Sequence, residues 1–122
     1  MITKETVDLV KKFRDDRGWR QFHNPKDLAI SLSLEVAELL EIFQWSADDL
    51  ECLDKMDKIR EELADVLCYA TLLADRCGLD MDEIMRKKIE KNAEKYPVNV
   101  AYGSKAKYTE LKGDARKKER TL

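Results

Sequence analysis

Two short stretches place acids where apolar side chains dominate. Residues 33–45 read SLEVAELLEIFQW and carry Glu35, Glu38 and Glu41. Residues 61–69 read EELADVLCY and carry Glu62 and Asp65 at the same spacing of three. At about 100° per residue, acids three apart lie about 60° apart on a helix. Glu35, Glu38, Ser31 and Trp45 then share one helical face. On the other stretch Tyr69 falls between Glu62 and Asp65. Solvated helix faces are the commoner source of such pairs. Two features argue against that reading for the first stretch. Its helix is apolar nearly all round, from Leu28 to Phe43, and residues 28–43 hold no lysine or arginine to pair with the acids. A helix of that kind is expected to be largely buried.

If the two faces meet, four carboxylates converge. At about 5 Å and an effective dielectric of 20, each like-charge pair costs on the order of 3 kcal/mol. That is large beside the roughly 5–15 kcal/mol that holds a domain together. Such a group must take up protons or bind a cation. An all-oxygen set suits Mg²⁺, or Mn²⁺. One histidine and three cysteines without close spacing do not make a zinc site. A di-iron bundle would need Glu-x-x-His pairs that neither stretch has.

A hard cation in an acidic pocket commonly handles phosphates. Lys88, Asn92 and Lys95 form one stripe in KIEKNAEKYP and are candidate phosphate contacts, though a solvated basic stripe has the same spacing. Trp19, Phe22, His23, Trp45 and Tyr69 could hold a base, or could simply pack a core. No glycine-rich phosphate loop is present.

The elements that must position these residues are helices. The 122 residues suit one domain, and 39% charged residues with four glycines and two prolines favour an all-α chain. A first helix is expected over roughly 3–17, stopped by Gly18. Asn24 caps the second, with Pro25 in its first turn, and its pattern runs to about 44. Ser46 with Asp49 resembles a capping box that would open a helix or helical turn. A long third helix reaches Cys77 and ends at Gly78. Asp80 and Glu83 open a fourth, 81–95, and Tyr96-Pro97 ends it. Residues 98–122 hold seven basic and three acidic residues with weak periodicity, and read as an extended C-terminal arm or a partner contact.

Net charge is −2, which gives no argument for nucleic acid or membrane binding. The longest apolar run, 66–74, is too short for a bilayer, and no signal peptide is evident. The cysteines fit a reduced, cytoplasmic protein.

In order along the chain, W-x-Q-F-H (19–23), E-x-x-E, F-Q-W (43–45), E-E-x-x-D (61–65) and K-x-x-x-N-x-x-x-Y-P (88–97) form a specific set. Together they resemble the MazG-like all-α nucleoside triphosphate pyrophosphohydrolases, nearest the dCTP pyrophosphatase branch. The resemblance covers about residues 7–97, and KYTEL (107–111) also resembles that branch. It implies a four-helix MazG-like bundle over 1–97, an arm over 98–122, and assembly as a homodimer or dimer of dimers. It implies Mg²⁺-dependent hydrolysis of a (deoxy)nucleoside triphosphate, with dCTP the expected substrate, to monophosphate and pyrophosphate. Glu35, Glu38, Glu62 and Asp65 would be metal ligands. Trp19, His23, Trp45 and Tyr69 would line the base pocket with Gln21 and Phe22 nearby. Lys88, Asn92 and Lys95 would contact phosphates. Glu38 or Glu41 would be the general base. The competing readings are a non-catalytic helical interaction module and a related hydrolase acting on dUTP or another phosphoanhydride.

Overall fold

The computed structural model describes residues 2–103. Those residues are all-α, with no strand among them. The chain divides into two compact units, Met1–Asp80 and Met81–Leu122.

In the first unit, α1 spans Lys4–Asp16, α2 Pro25–Glu41 and α3 Met56–Arg76. Thr3 caps α1 by accepting the Thr6 amide. Gly18 follows with φ +65°, a left-handed turn, and Trp19–Phe22 form a short 3₁₀ helix. Asn24 Oδ1 accepts the Asp27 amide at 2.9 Å, and Pro25 opens α2. That is the start expected from the sequence.

The far end of α2 differs from expectation. The helix stops at Glu41, because the next amides tighten onto carbonyls three residues back: Ile42 to Leu39, Phe43 to Leu40 and Gln44 to Glu41. Lys55 Nζ then donates to the Ile42 carbonyl at 3.0 Å, a cation at the carbonyl end of a helix. Trp45 follows with φ +69°. No α-helix opens at Ser46. The Asp49 carboxylate instead accepts the amides of Glu51 and Cys52. A 3₁₀ turn, Leu53–Lys55, leads into α3.

The third helix ends as the glycine predicts. Gly78 has φ +66°, its amide donates to the Asp75 carbonyl, and the Leu79 amide donates to Ala74 at 2.9 Å. These two bonds are a Schellman closure.

The main packing is α2 on α3, with α1 laid on α3. Leu28, Ile42, Cys52, Leu72 and Ala74 are buried. The expected burial of α2 does not hold in the single chain. Only Leu28 is buried along it. Ile30 and Val36 stand in solvent, as do Leu34 at 60% and Leu40 at 69% exposure. The helix is apolar on more sides than its neighbours in the chain cover.

In the second unit, α4 spans Met81–Lys95 and α5 Val98–Ala101. The segment expected as an extended arm therefore begins with a helical turn. Residues 104–122, with KYTEL, lie outside the described residues. Among the described residues no helix is long and apolar enough to cross a membrane.

Candidate active site

Helix periodicity put two acids on one face of α2 and two on one face of α3, and packing brings the faces together. One carboxylate oxygen from each of Glu35, Glu38, Glu62 and Asp65 lies within 4.8 Å of the others. Glu35 and Glu62 are half-buried, while Glu38 and Asp65 are exposed. Oε2 of Glu35 and Oε2 of Glu62 are buried with no hydrogen-bond partner. Burial pushes the Glu35 carboxyl up to about 7, aided by its hydrogen bond to Glu38 and the surrounding negative charge. Glu62 is raised by burial and then by Glu38. Buried carboxylate oxygens without donors, among other acids, are a site for protons or for a cation. Four oxygen donors from rigid helices fit a hard divalent ion.

A cavity of about 450 Å³ opens beside this group. Glu35 and Asp65 line both. Trp19, His23 and Tyr69 contribute polar-edged aromatic walls, and Leu9, Val10, Phe13, Arg14, Cys68 and Leu72 complete it. The Phe13 and Trp19 rings meet edge to face, with centroids 5.7 Å apart. The Arg17 guanidinium stacks 3.6 Å over the Phe13 ring. His23 Nδ1 is buried without a partner. Burial, and then the Arg14 charge, lower the His23 pKa, which favours the neutral ring. Burial, and then Asp65, push the Cys68 thiol up, which keeps it protonated and unreactive.

Some expected residues lie elsewhere. Gln21 turns back to the Gly18 carbonyl at 2.8 Å, and Phe22 is 67% exposed. Neither lines the cavity. Trp45 does not share the face of Glu35 and Glu38, because α2 ends before it and its own φ is positive. It is 91% exposed in the single chain. Glu41 lies outside the group of four and borders a separate shallow hollow with Ala37, Leu40, Phe43 and Gln44. Lys88, Asn92 and Lys95 lie on α4 in the second unit, with Lys88 exposed and the other two half-buried.

The sequence reading missed the contribution of α1. Leu9 and Phe13 belong to the apolar side of this helix and give no local sign of a binding wall. Arg14 carried a signal: it falls on the stripe of Val7 and Val10, where a charge is out of place.

The scaffold and the site together define a class: an all-α chain that gathers four carboxylates at an aromatic-walled cavity. The particular family follows from comparison. A family model described as MazG-like matches residues 30–111, and the chain belongs to the MazG-like family. It is similar to dCTP pyrophosphatase 1 of Mus musculus and of Homo sapiens, each 39% identical over 108 residues covering 84% of this chain. The chain spans 64% of the length of those relatives. A crystal structure of a pyrophosphatase from Archaeoglobus fulgidus superposes with a TM-score of 0.72 at 47% identity, covering 77% of this chain and 91% of that one.

Proposed function

We propose that this chain is a nucleoside triphosphate pyrophosphohydrolase that converts dCTP, or a closely related deoxynucleotide, to the monophosphate and pyrophosphate. The observation that carries the reading is the continuity of acids and aromatics: Glu35 and Asp65 belong at once to the carboxylate group and to the cavity wall. The family and the dCTP pyrophosphatase relatives support it.

Glu35, Glu38, Glu62 and Asp65 would hold Mg²⁺, with Mn²⁺ an acceptable substitute. When bound, the ion supplies positive charge that offsets the triphosphate and the departing pyrophosphate. The chain's own residues do the rest. Trp19 and Tyr69 stack on the base, and His23 offers a neutral ring to its edge. Glu38 is the better of the two candidate bases for a proton from the attacking water, since it is exposed within the group and Glu41 stands outside it. Lys88, Asn92 and Lys95 are proposed phosphate contacts on their helical spacing alone. The exposed apolar sides of α2, Leu34 on one and Leu40 on another, support self-assembly as a dimer or tetramer that would cover them. A cytoplasmic setting accords with three free cysteines.

The test is pyrophosphate release from a panel of ribo- and deoxynucleoside triphosphates, with and without Mg²⁺. Release that needs Mg²⁺ and is fastest with dCTP is the expected result. No release from any nucleotide by folded protein would leave a helical interaction module as the better reading.

A further inference from the structure

Arg14 is a cation in an expensive place. It is 3% exposed, on the inward stripe of α1. Its Nε donates to Asp15 Oδ1 at 2.8 Å and its Nη1 to Asp75 Oδ2 on α3 at 2.7 Å. Lys11 Nζ also reaches Asp75, at 3.3 Å. Its partners are partly open to water, the Asp15 side chain by 48% and that of Asp75 by 26%, and ion pairs that water reaches add little to stability. Fold stability alone is therefore a weak reason for a guanidinium here.

Its position suggests a use. Arg14 lines the cavity together with His23, Trp19 and Tyr69. Two of its nitrogens are committed, on carboxylates from two helices, which fixes the guanidinium plane. A guanidinium is donor-only. Beside it stands an imidazole whose Nδ1 is buried without a partner. A fixed donor next to an unsatisfied ring nitrogen complements a base edge that presents a carbonyl oxygen beside another polar group.

We propose that Arg14 is a specificity residue of the cavity: its clamped guanidinium donates to a ring-carbonyl oxygen of the nucleotide's base, with His23 meeting the adjacent polar group. The pair selects bases that carry a carbonyl, cytosine among them, against adenine, which has none. This rests on the pyrophosphohydrolase reading above. The lower His23 pKa accords with it, since the neutral ring carries no charge beside Arg14 and keeps one N–H that can donate to the ring nitrogen flanking the cytosine carbonyl.

The test compares kcat and KM for dCTP and dATP in the full-length protein, as wild type, Arg14→Met and Arg14→Lys, with melting temperature measured alongside. Arg14→Met is expected to lower the dCTP-over-dATP preference in kcat/KM by about 10- to 100-fold, the range of a charge-assisted hydrogen bond. The loss should appear in KM for dCTP, with kcat and the dATP values little changed. Arg14→Lys, which keeps the charge and a donor, should recover part of the preference. A folded Arg14→Met protein with the wild-type preference would overturn the proposal and leave Arg14 a structural tie. If Arg14→Met does not fold, Asp75→Asn loosens the clamp while keeping the arginine. A reduced preference there supports the proposal, and an unchanged one overturns it.

Failure of the enzymatic reading is separable. His23 is the single histidine of the chain, so its imidazole proton resonance reports binding without turnover or metal. If wild type hydrolyses nothing, a shift of that resonance with dCMP but not dAMP, lost in Arg14→Met and partly kept in Arg14→Lys, still supports the Arg14 role. No such difference overturns it.

Discussion

Glu35 on α2 and Glu62 on α3 each bury Oε2 with no hydrogen-bond donor, and their carboxylates stand within one group of four acids. Both carboxyls are raised, Glu35 to about 7, with burial the first cause and neighbouring acids the rest. The folded chain therefore holds protons that the unfolded chain releases from about pH 4.5 upward. Stability from these groups is full below that pH and is lost as pH rises through about 7. Asp15 and Asp75 run the other way: hydrogen bonds from Arg14 lower them, so their contribution is lost only in stronger acid. The melting temperature of metal-free protein should accordingly fall between about pH 5 and pH 8. Mg²⁺ at the higher pH should restore it, by about 2.7 kcal/mol at a hundredfold excess over Kd. Mg²⁺ should do less near pH 5, where protons compete. Thermal melts at the two pH values, with and without Mg²⁺, check this. A Tm indifferent to Mg²⁺ at pH 8 would count against a cation site.

Glu38→Gln and Asp65→Asn each remove one charge from the group while keeping side-chain shape. Both residues are exposed, so neither change should unfold the chain. Turnover should fall by more than ~100-fold in each. Steady-state rates with circular dichroism on the same samples decide it, and wild-type turnover in either variant would remove that residue from the site.

Trp19 and Trp45 separate the cavity from the resemblance. Trp19 lines the cavity against Phe13, whereas Trp45 is almost wholly exposed in the single chain. Trp19→Ala should raise KM by about 10-fold, within the range of one base-stacking contact, with kcat changed less. Trp45→Ala should raise KM by a smaller factor. The reverse order would mean that the base is held at the Trp45 end instead.

Leu34 and Leu40 are more than half exposed on α2. Light scattering of the wild type should return a mass above one chain. Leu34→Glu combined with Leu40→Glu should return the mass of one chain, because a buried carboxylate in an apolar contact is costly. A wild-type mass of one chain would show that these two apolar sides stay open to water.

Gly78 closes α3 at φ +66°, and nothing lies within 4 Å of where a Cβ would stand. Gly78→Ala thus meets backbone strain without a clash. It should cost about 1 kcal/mol, a fall of about 3–5 °C in Tm for a chain of this size. An unchanged Tm would mean that the turn relaxes.

The sequence by itself determined the helices and the sharing of faces along them. Gly18, Asn24-Pro25, Gly78 and Tyr96-Pro97 act on hydrogen bonds within a few residues, so their effect is readable without the fold. The spacing of Glu35 with Glu38, and of Glu62 with Asp65, needs only the helical repeat. Tertiary structure decided the rest. The end of α2 at Glu41, where Lys55 reaches back to the Ile42 carbonyl from beyond the following loop, moves Trp45 off the expected face. The fourth wall of the cavity comes from α1, held to α3 by a bond between Arg14 and Asp75 that no local pattern encodes. Periodicity tells which side of a helix is apolar, but what that side meets depends on contacts between residues distant in the chain.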